Sequence, residues 1–362
     1  MDRTGPGRTH GLAFVIILLI MLAAVLFETD SIVLNTTTST TSTIHSAPNI
    51  TTTVYSTDYT IPQPSNYSTG RQYSANQTIE YALQLINSVR LRHGLQSVTL
   101  SNESSGQQHA ESMLRNDYFS HWDLFGMKPY MRYTLLGGQG SVNENIAYNS
   151  YFHETCIAYR CSVDQINVTD AVGNMESQML YNDSLCCNNG HRDNILDPNH
   201  NQVSIGIAYN RTSVYFVEDF IDNYINWTGG TPASRELNVS LSGQTLHNTG
   251  IRSVQVSYEP LPKNMSKGEL ANTSSYSYGG IVGGVTYGRY YYRNITTIYA
   301  NQYSISGTSF NIDFSLAYLY GKYGPGVYTI MLYLDNSTGG TFLGSTYSLF
   351  MRNGSAFTPG SV

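Results

Sequence analysis

Apolar residues recur at helical spacing three times between residues 76 and 181, and at strand spacing over most of the chain beyond residue 200. Ile79, Ala82, Leu83, Ile86 and Val89 share one helical face, and Gly94 follows as a stop. A second helix is predicted over Glu103 to Asp117, with Ala110, Met113 and Leu114 inward, leading into the loop Phe119-Ser120-His121-Trp122. A third should start at Thr169, because Val172, Met175, Met179 and Leu180 fall within one arc. Glu176 and Asp183 project near the centre of the same arc, so at least one carboxylate is aimed at the interior. A buried carboxylate has to be paired, hydrogen bonded or functional, since isolating it in apolar surroundings is costly. Val203, Ile205 and Ile207 then alternate with small or polar residues, and Val214, Phe216 and Phe220 belong to the next run, predicting two antiparallel strands.

From about residue 230 the period is two throughout. Leu237, Val239 and Leu241, then Val254, Val256 and Tyr258, then Tyr328, Ile330, Leu332 and Leu334 alternate with Ser, Thr and Tyr, and Gly and Pro punctuate the runs. This pattern predicts an antiparallel β-sandwich over 230–362, read as an accessory adhesion or spacer domain. Half of the cluster Tyr290-Tyr291-Tyr292 should face a sheet interior by alternation. At the other end, Gly11 to Phe27 is an unbroken apolar run preceded by Arg3 and Arg8. Its length, and the lack of an A-x-A site after Phe27, favour a transmembrane helix acting as an uncleaved signal anchor over 1–28, with its N-terminus inside. A Thr/Ser-rich, aperiodic segment over 29–75 reads as a disordered stalk. The folded units expected are therefore 76–223 and 230–362.

Composition sharpens the compartment. Charged residues make up 12% of the chain, against a usual share of roughly 25%, so uncharged polar groups must wet the surface. The net charge is −6 without any long basic run, which excludes a nucleic-acid footprint. Fifteen of the 30 Asn begin an N-x-[ST] sequon, the mark of a glycoprotein. The four cysteines, Cys156, Cys161, Cys186 and Cys187, are even in number and confined to the middle domain, which fits an oxidising compartment. Neighbouring Cys186 and Cys187 are poor partners for each other, so each is expected to bridge separately to Cys156 or Cys161. A metal-binding Cys cluster is the alternative, although no CxxC pair is present.

Five short words occur in order in the middle domain: N-x-x-R-x-x-x-G-L (Asn87, Arg90, Gly94, Leu95), H-A-x-x-M then F-S-H (His109 to His121), E-N-I-A (Glu144 to Ala147), G-H-R-x-N-I-L (Gly190 to Leu196) and V-x-D-F (Val217 to Phe220). Together they resemble the CAP superfamily of cysteine-rich secretory proteins, antigen 5 and pathogenesis-related 1 proteins, also called SCP domains, in its short microbial form. The resemblance covers about 145 residues. It implies an α+β fold, an α-β-α sandwich with a cleft lined by two His and two acids. His121, Glu144 and His191 match the motif positions, and the helix-borne acid aligns with either Glu176 or Asp183. Asn143 stands where the family usually has Gly before this Glu, which affects the local turn.

Two neutral imidazoles beside carboxylates suit Zn²⁺ or another divalent cation, with His121, His191 and Glu144 as ligands, and equally suit general acid/base work. HExxH and G-x-S-x-G are both absent, and Ser120 is too close in sequence to His121 to be its nucleophile. His109, His153 and His200 are read as structural or solvated, and Trp122 as packing beside the cleft. Three functions are compatible with this set. The leading one is a membrane-anchored, single-pass extracellular protein whose cleft binds a small ligand, lipid or divalent ion, or else a cell-surface partner. The second is a His/Glu-dependent hydrolase, and the third an adhesive glycoprotein with a vestigial cleft. A secreted form is the alternative to the anchored one.

Overall fold

The computed structural model describes residues 73–157, 160–228, 233–235, 237–273 and 275–359. The expected anchor and nearly all of the expected stalk lie outside these residues. Among the described residues, no helix is long and apolar enough to cross a membrane.

Helix α1 (Ala75–Arg92) opens on a capping box in which Ser74 and Gln77 satisfy each other's backbone N–H groups. After the short strand β1 (Thr99–Leu100) come α2 (Ser105–Asn116), α3 (Pro129–Leu135) and β2 (Ser141–Ser150). A hairpin of β3 (Glu154–Ile157) and β4 (Arg160–Val163) precedes α4 (Val168–Tyr181), whose N-cap Asn167 accepts from Thr169 and Asp170. Two short helices come next, α5 (Asp183–Cys187) and α6 (Gly190–Ile195), then β5 (Gln202–Tyr209) and β6 (Ser213–Asp222). The sheet order is β1-β5-β6-β2, antiparallel apart from the β1/β5 pair.

Both faces of this sheet are covered. On one, Leu85, Ile86 and Val89 of α1 and Val172, Met175 and Met179 of α4 pack on Val203, Ile205 and Phe216. On the other, Ala110 and Met113 of α2 pack on Ile146, Ala208 and Val217. The α-β-α sandwich follows from these two cores. Helix α2 crosses β5 so closely that a Cβ on Gly206 would sit 2.0 Å from the Gly106 carbonyl oxygen, a contact only glycine permits.

The N-x-x-R word is structural. Asn87 exchanges two hydrogen bonds with the Val98 backbone, and the fully buried Arg90 donates to the carbonyls of Gln96, Ile195, Asp197 and His200. It thereby ties α1 to the loop that follows α6.

The C-terminal region is β-rich. Strands β7 (Ile225–Trp227), β8 (Ala233–Arg235), β9 (Asn238–Thr245) and β10 (Gly250–Glu259) lead to a short helix α7 (Lys267–Leu270). Then come β11 (Gly280–Thr286), β12 (Thr296–Tyr299), β13 (Gln302–Ser306), β14 (Ser309–Ser315), α8 (Ala317–Tyr323), β15 (Gly326–Asp335), β16 (Thr341–Arg352) and β17 (Ser355–Ala356). One sheet runs β12-β11-β10-β15-β16-β17 and the other β13-β14-β9-β7, with β8 beside β9. Their inner faces meet through Val239, Leu241, Val254, Ile312, Phe314, Ile330 and Leu332. Three details depart from the expectation. The β11/β12 pair is parallel, and β7 already joins the second region before residue 230. The Tyr cluster lies in the β11–β12 loop, where Tyr287, Tyr290 and Tyr291 are exposed, so strand alternation does not govern it.

The two regions share a core. Tyr130, Met131 and Tyr133 of α3, with Val142 and Ile221, pack against Val327 and Phe350. The backbone joins in, because Thr346 donates to Gly140 O and Ser141 Oγ donates to Leu343 O.

Candidate functional site

Strand β2 sits at the edge of the four-stranded sheet, and its E-N-I-A word places neighbouring side chains on opposite faces. Glu144 stands opposite Asp219 of β6, toward α2, while Asn145 stands opposite Glu218, toward α4 and α6. The candidate groups therefore divide into two pairs around one strand.

On the α2 face, His121 Nδ1 is 2.9 Å from Glu144 Oε1, and Arg132 donates to Glu144 Oε2 at 2.6 Å. Arg132 also bonds the carbonyls of His121 and Met127, which fixes the F-S-H loop over the carboxylate. Burial, reinforced by Arg132, pulls His121 down to about 4, so a neutral ring faces Glu144 through Nδ1. Burial lifts Glu144 to about 7 against the pull of Arg132. Burial, then the nearby Glu144 charge, pushes Asp219 well above the carboxylate range. Asp219 also accepts from Ser105 Oγ at 2.5 Å. Both carboxyl groups opposite Arg132 are thus held toward their neutral forms. His109, given no role from the sequence, donates to Ser120 O and lies 3.9 Å from Glu144. Burial holds it neutral.

On the other face, His191 Nδ1 is 2.6 Å from Asp183 Oδ1, while Asp183 Oδ2 accepts from the N–H groups of His191 and Arg192. Asp183 is the acid beside His191. Glu176 is fully buried and faces Glu218 instead. No donor reaches either Glu176 oxygen, and burial, followed by the Glu218 charge, pushes it well above the carboxylate range. Asn145 joins this side to α6 by bonds to His191 O, Glu218 and Asn194.

His121, Glu144 and His191 do not gather as one ligand set. Among the described residues, the groups whose ligand atoms lie within 4.8 Å of one another are Asp183, Cys186, Cys187 and His191, and Glu154, Cys156 and Cys161. The disulfides also correct the expected pairing: Cys156 bonds Cys161, and Cys186 bonds Cys187. Cys156 and Cys161 occupy directly opposed positions of the β3–β4 hairpin, which brings their Cα atoms to 4.0 Å and leaves Cys186 and Cys187 only each other.

Residues 83–220 match the model of the cysteine-rich secretory protein family, CAP. This chain carries a CAP domain. No curated protein matches it. Among the solved structures similar to it are two with a related domain. An extracellular protein containing an SCP domain from Bacillus anthracis is 20% identical, over 41% of each chain, with a TM-score of 0.30. The CAP domain of enterococcal PrgA is 16% identical, over 46% of this chain and 72% of that one, with a TM-score of 0.27. The chain thus spans about two fifths of the length of the Bacillus protein.

The two halves of the CAP site differ in what lies beside them, while the His121 and His191 side chains are about equally exposed, at 13% and 14%. The described residues of the segment between β10 and β11, 260–273 and 275–279, lie as a strap on the His121 half. Glu144 N–H donates to Tyr276 Oη at 2.8 Å, and the Tyr276 and His121 rings stand 5.1 Å apart. Trp122 Nε1 donates to Ser275 O, Ser120 meets Thr273, and Leu270 is buried against Met113 and Tyr118. Lys128 closes the base through Glu259 and Ser277 O. Gly126, at φ 73°, gives the strap room, since a Cβ there would lie 2.5 Å from Lys263 O. On the His191 half, Leu185 and Cys186 are exposed. Two surface hollows, of about 370 Å³ beside Gln107 and about 410 Å³ beside Asn174, lie away from both histidine pairs. Sequence reasoning missed Arg132, Glu218 and Tyr276. Only Asp219 carried a signal, as part of V-x-D-F.

Proposed function

We propose that this chain is an extracytoplasmic CAP protein that acts by binding a ligand at its His191 half, which the strap leaves uncovered, rather than by hydrolysis. The observation that carries this reading is the state of Glu144, which is buried, held by Arg132 and His121, and covered by Tyr276. A general base must reach a substrate proton, and this one has its hydrogen bonds committed under a strap. The exported location is supported by the two disulfides, and by the sequons, each of which has an exposed or half-buried Asn wherever it lies among the described residues. The apolar run Gly11 to Phe27 supports anchoring in a membrane, with a small ligand, a lipid or a cell-surface molecule as the partner.

The experiment is a paired one on the purified full chain. His191 ring resonances should shift or broaden when phospholipid and sterol micelles are titrated in. Panels of peptide and ester substrates should show no turnover. Turnover that disappears in Glu144→Gln would establish the hydrolase in its place.

A further inference from the structure

The one place in the described structure where four metal-type donors converge is the His191 end of the cleft. Ligand atoms of Asp183, Cys186, Cys187 and His191 all lie within 4.8 Å of one another. Local structure brings this about. Asp183 begins α5, the two cysteines end it, and Asn188 and Asn189, both at positive φ, turn the chain so that α6 starts beside Asp183. Asp183 Oδ2 is taken by two backbone N–H groups, which leaves Oδ1 turned to His191 and, at 3.6 Å, to Cys186 Sγ.

Two thiolates, one imidazole and one carboxylate form the donor set of a four-coordinate Zn²⁺ site. In the oxidised chain the sulfurs are bonded to each other and neither is a thiolate. Their disulfide closes a small ring that contains the peptide bond between them. Its Cα atoms are 3.8 Å apart, the spacing of any two neighbours across a trans peptide. Cys186 is exposed, so an incoming thiolate has access.

We propose that reduction of the Cys186–Cys187 disulfide turns this end of the cleft into a Zn²⁺ site with Cys186, Cys187, His191 and Asp183 as ligands. The reductant is a dithiol. Its first thiolate attacks one sulfur and releases the other cysteine, and its second thiol then resolves the mixed disulfide. Two electrons pass to the protein, the dithiol becomes a disulfide, and Cys186 and Cys187 are left as thiols. Zn²⁺ then displaces one proton from each. The inference is independent of what organic ligand the oxidised cleft takes, because it concerns the reduced chain alone.

The test uses the full chain in detergent, with Zn²⁺ alone and Co²⁺ alone as probes, before and after treatment with a dithiol that is removed without air. The reduced wild type should bind one Zn²⁺ and show thiolate-to-cobalt charge-transfer absorption, and the oxidised chain should do neither. Cys186→Ser should lose affinity by at least the ~100-fold that removal of an outer-shell partner alone can cost. The double change Cys156→Ser with Cys161→Ser removes the Glu154 cluster and should leave uptake intact. Cys186 is exposed, so its replacement leaves the core untouched, and the oxidised wild type is a second control that needs no mutation. Equal uptake by the oxidised chain, full uptake by Cys186→Ser, or loss on changing Cys156 and Cys161 would each overturn the proposal.

Discussion

Replacing Glu144 by Gln should change how stability depends on pH, and the size of the change follows from two opposed titrations. Burial raises Glu144 from 4.5 to about 7, so between those values the folded chain holds a proton that the unfolded chain has released. Its contribution is full below 4.5 and is lost as pH rises through 7. His121 runs the other way, lowered from 6.5 to about 4, so its contribution is full above 6.5 and is lost as pH falls through 4. Gaps of this size are each worth ~3 kcal/mol, and over most of the window they cancel in the wild type. Glu144→Gln leaves the His121 contribution alone. The stability difference, variant minus wild type, should therefore rise by ~3 kcal/mol between pH 4.5 and 7. Asp219 is able to take over the charge opposite Arg132, so the double change with Asp219→Asn closes that route. Urea unfolding from pH 4 to 8 would be followed on the two tryptophans, Trp122 beside the site and Trp227 in the second region. Coincident transitions justify a single free energy. A difference that stays flat within ~1 kcal/mol, or that falls with pH, would refute the account of how Glu144 and His121 are held.

Three other outcomes are expected. Tyr276→Phe leaves the Glu144 N–H without an acceptor and should cost ~1–3 kcal/mol in urea unfolding at constant pH. Gly126→Ala places a Cβ against Lys263 O at a positive φ, so the strap should lift and trypsin should cut at Lys263 and Lys267 faster than in the wild type. Cleavage before Asp164 and Asp183 of the unreduced chain should release Cys186 and Cys187 on a peptide that is not linked to Cys156, and a linked product would reject the observed pairing.

What the sequence discloses is local. The periodicity of α1, α2 and α4 and the alternation of β5 and β6 place these elements within a few residues, because each buries one face against a single neighbouring layer. Strand β2 escapes this reading. Its buried positions include Glu144 and Asn145, whose burial depends on Arg132, Asp219 and Glu218 from other elements, so no apolar alternation marks it. Helix periodicity alone left Glu176 and Asp183 equivalent. They are separated by what each meets: the end of α4 delivers Asp183 to the backbone of α6, while Glu176 meets Glu218 across the core.

The strap is illegible for a different reason, and it bears on function. Residues 260–279 carry no period, since their partners are divided between the CAP domain and the β15–β16 end of the second region, where Tyr278 meets Thr346. Leu270 packs on α2, Ser275 receives Trp122, and Tyr276 covers His121. A binding cleft and an accessory domain read as separate units are therefore one device on the His121 side. A ligand that needs both halves of the cleft has to displace Tyr276 and break at least the hydrogen bonds to Glu144 N–H and Trp122 Nε1, whose individual net worth is ~1 kcal/mol. Burial of Leu270 adds to that barrier. A ligand that meets His191 beside the exposed Leu185 and Cys186 displaces none of these contacts, which is why this half is where binding should be sought first.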